Sequence, residues 1–240
     1  MRGVGMAESK NTKKIGLKAF RATLPVMAGY IVLGIGFGVL LQTKGYGVLW
    51  AAAMSLFIYA GSMQYVAIDL ITGGVSLLTA AVVTFVVNAR HLFYGISVVD
   101  RYRGAGRKKP YMIFALTDET YSLICGDDGF ESERERHSYD FLVSLFDHIY
   151  WLCGGVMGSL LGKVLPFDAE GIDFALTALF VTVFVDQWTS TNKHAPAVCG
   201  VTASVVCLLI FGSENFLIPS MVLIVAALTL MRGKAGVSDG

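Results

Sequence analysis

The sequence predicts an all-α integral membrane protein with about six full transmembrane helices and two broken or re-entrant segments. Of its 240 residues, 55% are hydrophobic and only 15% charged, and the mean hydropathy is +0.62. Long apolar runs alternate with short polar connections that hold most of the charge, a pattern no water-soluble globule of this size shows. The runs are close to the roughly 20 residues that a helix needs to cross a hydrocarbon core of about 30 Å.

Residues 1–21 form a basic N-terminal segment, with Lys10, Lys13, Lys14, Lys18 and Arg21 ahead of the first apolar run. No small-residue cleavage site follows, so this segment reads as retained rather than as a removable signal peptide. Residues 22–231 then make a single transmembrane domain, and 232–240 a C-terminal tail. The clear crossing candidates are 24–43, 76–98, 139–162, 173–187, 195–211 and 216–231, the last three packing as adjacent hairpins. Two stretches fit a simple span badly. In 47–71 an apolar helix is interrupted at Ala60-Gly61-Ser62-Met63-Gln64, and 111–126 is short with two adjacent carboxylates at its centre.

Basic residues collect on the cytoplasmic side of a bilayer. That rule places the N-terminus there, together with the loop carrying Arg101, Arg103, Arg107, Lys108 and Lys109 and the C-terminal Arg232 and Lys234. The 100–109 loop returns to that side if 47–71 re-enters rather than crosses, and working back from the C-terminus places 127–138 there too, which makes 111–126 re-entrant or interfacial; seven or eight full crossings are the competing arrangement. A weak internal repeat is a further possibility. Gly34, Gly36 and Gly38 followed by the Gly61–Gln64 break are echoed by Gly154, Gly155 and Gly158 followed by Asp186-Gln187-Trp188. Close helix packing through small residues would produce the same glycines.

The net charge of +1 conceals a segregation by region that leaves no broad basic surface for nucleic acid. The four cysteines have no CxxC or Cys/His spacing, so neither a metal site nor a cofactor is expected. HExxH, GxSxG, GxGxxG and phosphate-loop signatures are absent, which argues against an enzyme.

Of the 37 charged residues, 31 fall in the polar connections and termini. Six remain in or beside apolar runs: Asp69, Arg90, Asp118, Glu119, Asp147 and Asp186. An ionisable group at membrane depth costs about 2.5–3.5 kcal/mol, so each needs a partner, water or a function. With five acids and one base, ion pairing within the set cannot neutralise them all. Arg90, flanked by Asn88 and His91, is suited either to a substrate carboxylate or to an interhelical lock on an acid. His91 is a proton relay or a packed histidine. Asp118 and Glu119, about 100° apart on a helix, are separate partners rather than a dyad. One could meet Arg90 while the other takes an ammonium or a proton. Gly61, Ser62 and Gln64 offer a flexible break, a hydroxyl and an amide for the polar end of an amino acid. Asp69 and Asp186 read as solvated helix ends, and Asp147, beside His148, as a candidate proton carrier.

Taken together, Tyr59-Ala60-Gly61-Ser62-Met63-Gln64, Asn88-Ala89-Arg90-His91-Leu92-Phe93-Tyr94-Gly95 and Leu116-Thr117-Asp118-Glu119-Thr120 resemble the AzlC family over roughly residues 15–231. Met63 and Asn88 stand where relatives often carry Ala or Ser and where some carry Asp. The resemblance implies the large subunit of a bacterial branched-chain amino-acid exporter in the inner membrane. It also implies valine, leucine, isoleucine and sometimes methionine as substrates, a small hydrophobic AzlD-type partner subunit, and coupling to the proton-motive force. A membrane scaffold whose charges are structural locks, or a membrane-embedded enzyme, are the alternatives.

Overall fold

The computed structural model describes residues 2–125, 129–164, 181, 184–185, 188–189 and 194–235. All regular structure among them is helical, as required of backbone that must satisfy its own hydrogen bonds in hydrocarbon. The first of two compact units, residues 1–176, holds α1 (Arg2–Thr43), α2 (Val48–Phe57), α3 (Gly61–Thr72), α4 (Leu77–Asn88) and α5 (Arg90–Ser97). It continues with a 3-10 turn (Gly106–Lys108), α6 (Lys109–Phe114), α7 (Asp118–Cys125) and α8 (Glu133–Val164). The second unit, residues 177–240, holds α9 (Ala195–Asn215) and α10 (Leu217–Ala235), which pack on each other.

Three helical stretches among the described residues are long and apolar enough to cross a membrane: Lys13–Thr43, Glu133–Val164 and Ala195–Gly212. The expected crossing at 76–98 is instead two helices bent by 47° between Asn88 and Arg90. Counted as one span, that pair makes a fourth. Segment 173–187 lies largely outside the described residues, and among the described residues of α10 the apolar stretch Val222–Met231 is a shorter one. The two awkward segments are both broken. The 47–71 stretch divides at 58–60 into α2 and α3, and the 111–126 stretch divides at 115–117 into α6 and α7.

Each break has a local cause. Helix α2 ends where Tyr59 takes φ +42°, a left-handed conformation that costs a residue with a Cβ about 1–3 kcal/mol. Its amide still bonds back to Met54 O at 3.2 Å, closing the last turn. Helix α7 starts because the Thr117 hydroxyl accepts the Thr120 amide at 3.3 Å, and Asp118 and Glu119 occupy the first turn, where the helix dipole favours carboxylates. Helix α4 is capped in the same manner by Ser76, which accepts Thr79 N–H at 3.1 Å.

The core of the first unit is the crossing of α1 and α8. A Cβ on Gly34 would lie 2.9 Å from Gly154 Cα, one on Gly154 would lie 2.9 Å from the carbonyls of Tyr30 and Ile31, and one on Gly158 would overlap the Ile35 backbone. Of the glycines that suggested an internal repeat, Gly34, Gly38, Gly154 and Gly158 make the contact itself and let the backbones touch, whereas Gly36 faces the Tyr65 hydroxyl. Above and below it pack Tyr30, Phe37, Leu40, Leu41, Tyr150 and Trp151. Helix α4 buries no residue, and Leu77 is 90% exposed. Apolar surface of this kind is what a lipid-facing helix presents.

Gly158→Val separates α1 from α8 and costs more than the roughly 1–3 kcal/mol of ordinary overpacking, because the clash is with backbone. In detergent it should lower the melting temperature and the yield of monodisperse protein. Gly29→Ala, which meets nothing within 4 Å, should leave both unchanged.

Candidate functional site

The three sequence motifs meet at one guanidinium. Arg90, the first residue of α5, donates through Nη1 to Asp118 Oδ2 at 2.5 Å and through Nη2 to Ser62 Oγ at 2.8 Å. Asp118 is the first residue of α7 and Ser62 the second of α3. One side chain therefore ties the N-terminal ends of three helices together. Those ends carry unpaired N–H groups and the positive pole of the helix dipole, which makes the junction suited to anionic groups. The Arg90 Nε is buried and has no acceptor among the described residues.

Beside this junction lies a cavity of about 530 Å³, bounded by the 58–60 break, α4, α5 and α6. Its walls are mainly apolar, with Ile58, Met63, Leu92, Val99, Ile113 and Phe114, and the polar contributors include Thr84, Asn88 and His91. Size and lining match a small-molecule pocket with few polar fixtures. Arg90 and Ser62 are not in the wall itself; the neighbouring residues on the same turns are. Asn88 Nδ2 donates to Thr84 O at 3.0 Å, and His91 Nδ1 lies 3.1 Å from Asn88 O.

Gln64 is fully buried. Its Oε1 accepts Trp151 Nε1–H at 2.7 Å, and its Nε2 reaches Ser55 Oγ at 3.4 Å. The amide thus joins α3 to α8 and α2. Gly61 packs on the same indole, 3.0 Å from a Cβ placed there. Glu119 accepts the Tyr30 hydroxyl at 2.6 Å, and Asp147, fully buried, accepts the Thr120 hydroxyl at 2.8 Å on Oδ2 while its Oδ1 has no partner among the described residues. His148 lies between Tyr111 Oη, 2.9 Å from Nδ1, and Ser55 O, 3.1 Å from Nε2. A carbonyl only accepts, so Nε2 carries hydrogen, and the neutral tautomer satisfies both contacts. Of the remaining membrane-run acids, Asp69 is exposed, and Asp186 lies outside the described residues.

Charge counting missed one pair. Arg101 and Asp140, both assigned to polar connections, form a two-pronged ion pair at 2.8 and 2.9 Å with Asp140 fully buried and the Arg101 side chain 12% exposed. His137 Nε2 approaches Arg101 O at 3.1 Å. Burial pushes the nearby Tyr102 hydroxyl upward, Asp140 adds to that, and Arg101 offsets part of it. The available signal was spacing, since Asp140, Ser144, Asp147 and Trp151 recur on one helical face, which assigns Asp140 to the inward side. Tyr30, Tyr111 and Ser55 carry no comparable sequence signal.

The family described as AzlC protein matches residues 25–165, a segment containing every residue of this junction. The chain belongs to the AzlC family. Among its relatives, a Bacillus subtilis protein named branched-chain amino acid transport protein AzlC is 40% identical over 214 residues, covering 89% of this chain and 84% of the relative. An uncharacterized membrane protein of Helicobacter pylori (strain ATCC 700392 / 26695) is 41% identical over 89% of this chain and 93% of its own length. Inner membrane protein YgaZ of Escherichia coli is 26% identical over 86% and 84%. No solved structure matches the chain.

Arg101→Met strands the buried Asp140 carboxylate and should cost about 3–5 kcal/mol, read as a fall in melting temperature in detergent. The double substitution with Asp140→Leu should recover most of it. Arg103→Met, whose partner Asp100 is exposed, should change nothing measurable.

Proposed function

We propose that the protein is a secondary transporter of branched-chain amino acids, exporting valine, leucine, isoleucine and methionine across the bacterial inner membrane together with a small AzlD-type subunit. The observation that carries this reading is the junction at Arg90, where three helix N-termini and one guanidinium adjoin an apolar cavity. A zwitterion with a branched aliphatic side chain needs both parts. The cavity receives the side chain, and the junction receives the carboxylate, for which the free Nε of Arg90 and the N–H groups at Gly61 and Ser62 are the donors. Asn88 and His91 offer polar atoms at the cavity wall. Gln64, held by Trp151, fixes the start of α3, so its amide sets the position of Ser62.

Asp118 competes with substrate for Arg90, which makes the ion pair a gate: substrate carboxylate binding frees Asp118 for the ammonium. Glu119 and Asp147, which have no basic partner among the described ion pairs, carry the coupling proton. In the membrane the N-terminal segment 1–21, the 100–109 loop and the tail 232–240 face the cytoplasm, and residues 22–231 act as one transport domain. The name of the Bacillus relative supports the substrate class.

Counterflow in proteoliposomes, with labelled amino acids and with or without the small subunit, tests the proposal. The wild type should exchange leucine, isoleucine and valine. Arg90→Ala and Gln64→Ala should abolish exchange while leaving membrane insertion intact. Unchanged exchange in both variants, or no exchange of any amino acid by the wild type in either preparation, would overturn it.

A further inference from the structure

Between the carboxylate of Glu119 on α7 and that of Asp147 on α8 runs an unbroken file of hydroxyls. Tyr30 Oη donates to Glu119 Oε2 at 2.6 Å and meets Thr117 Oγ1 at 2.8 Å. Thr117 Oγ1 lies 3.1 Å from Thr120 Oγ1, which donates to Asp147 Oδ2 at 2.8 Å. Tyr30, Thr117, Thr120 and Asp147 are buried, whereas Glu119 is half-buried. The file therefore has one accessible end and one enclosed end.

Counting hydrogens determines what such a file does. Five oxygens leave four gaps between them, and the three hydroxyls bring one hydrogen each. With both acids ionised, one gap has lone pairs facing lone pairs. A single added proton fills all four and lets every bond point the same way. We propose that Glu119 and Asp147 share one proton through Tyr30, Thr117 and Thr120, with Glu119 as the entry and Asp147 as the store.

The relay balances. The proton on Glu119 Oε2 passes to Tyr30 Oη, the Tyr30 hydrogen to Thr117, that of Thr117 to Thr120, and that of Thr120 to Asp147 Oδ2. Four O–H bonds break and four form, leaving Glu119 ionised, Asp147 neutral and the file pointing back toward Glu119. The surrounding titratable groups leave this proton uncontested. Arg90 is engaged with Asp118 and Ser62, and His148 with Tyr111 and Ser55 O. The buried Tyr59 hydroxyl adjoins the file, within electrostatic reach of Glu119, Asp147, Tyr30 and Tyr111. Tyr59 also lines the cavity.

This relay rests on the transport reading for its purpose, but not for its existence, and the two are tested separately. Infrared difference spectra of the chain in lipid nanodiscs, recorded across a pH titration, should show a protonated-carboxyl band that both Glu119→Gln and Asp147→Asn alter. In a Thr120→Val background, or in Thr117→Val if the first does not fold, Glu119→Gln should no longer affect the Asp147 band. A band sensitive to one acid and indifferent to the other in the unbroken file, or no such band, overturns the proposal. In proteoliposomes Thr120→Val should lose accumulation driven by a pH gradient. Retention of that accumulation overturns the relay's role in coupling, and a wild type driven by a sodium gradient alone overturns the proton-coupled transport reading, while the infrared band alone decides whether the proton is shared. A wild type that moves no amino acid would sink the transport reading, while the band would still report the shared proton.

Discussion

The close approach of α1 and α8 is the constraint from which the other contacts follow. Backbone touches backbone at Gly34, Gly154 and Gly158, a distance no side chain larger than hydrogen permits. One turn from Gly34 on α1 is Tyr30, and one turn from Gly155 on α8 is Trp151; their rings meet edge to face with centroids 5.5 Å apart. Another turn along α8 is Asp147. Because the two helices cannot slide without clashing, Tyr30, Trp151 and Asp147 are fixed relative to one another, and the polar groups on the broken helices close onto a rigid wall.

Against that wall the chain places its two breaks. A continuous helix through 47–71 would leave no exposed N-terminal amides at Gly61, and one through 111–126 would leave none at Asp118. Interrupting both brings two positive helix ends to Arg90, which starts a third helix after the bend at Ala89. At α7 the cost of unpaired backbone in the interior is offset by the Thr117 cap and by Asp118 and Glu119 in the first turn. The same interruptions explain why Arg90 can be polar at all in an apolar run. It is not alone in lipid but tied to two neighbours at a helix junction.

The inward-facing acids divide into two chemical types. Asp118 and Asp140 are matched by arginines. Among the described residues, Glu119 and Asp147 are matched by hydroxyls. Hydroxyls can donate or accept, so they accommodate either charge state of a carboxyl without rearranging the helices, whereas an arginine would hold the acid ionised. This difference, rather than burial alone, separates the ion-paired acids from the hydroxyl-bonded ones on which the proposed relay rests.

Much was legible in the sequence because it depends on composition and on spacing along one chain. The apolar runs require helices, the interruptions at Ala60–Gln64 and Thr117–Glu119 mark where those helices stop, and the surplus of acids over Arg90 requires a polar interior. Which acid meets Arg90 was left open, since pairing between residues 28 apart is decided by how helices cross. The Arg101–Asp140 pair escaped notice because both residues sit in charged stretches whose ends turn inward. The hydroxyl file was invisible for a related reason. Tyr30 and Asp147 are 117 residues apart and become neighbours only when the α1 and α8 glycines touch. Sequence by itself determined a membrane helix bundle, its broken segments and its candidate polar residues, because hydrocarbon admits few alternatives. The tertiary structure decided which of those residues are partners, because partnership is a property of packing distance.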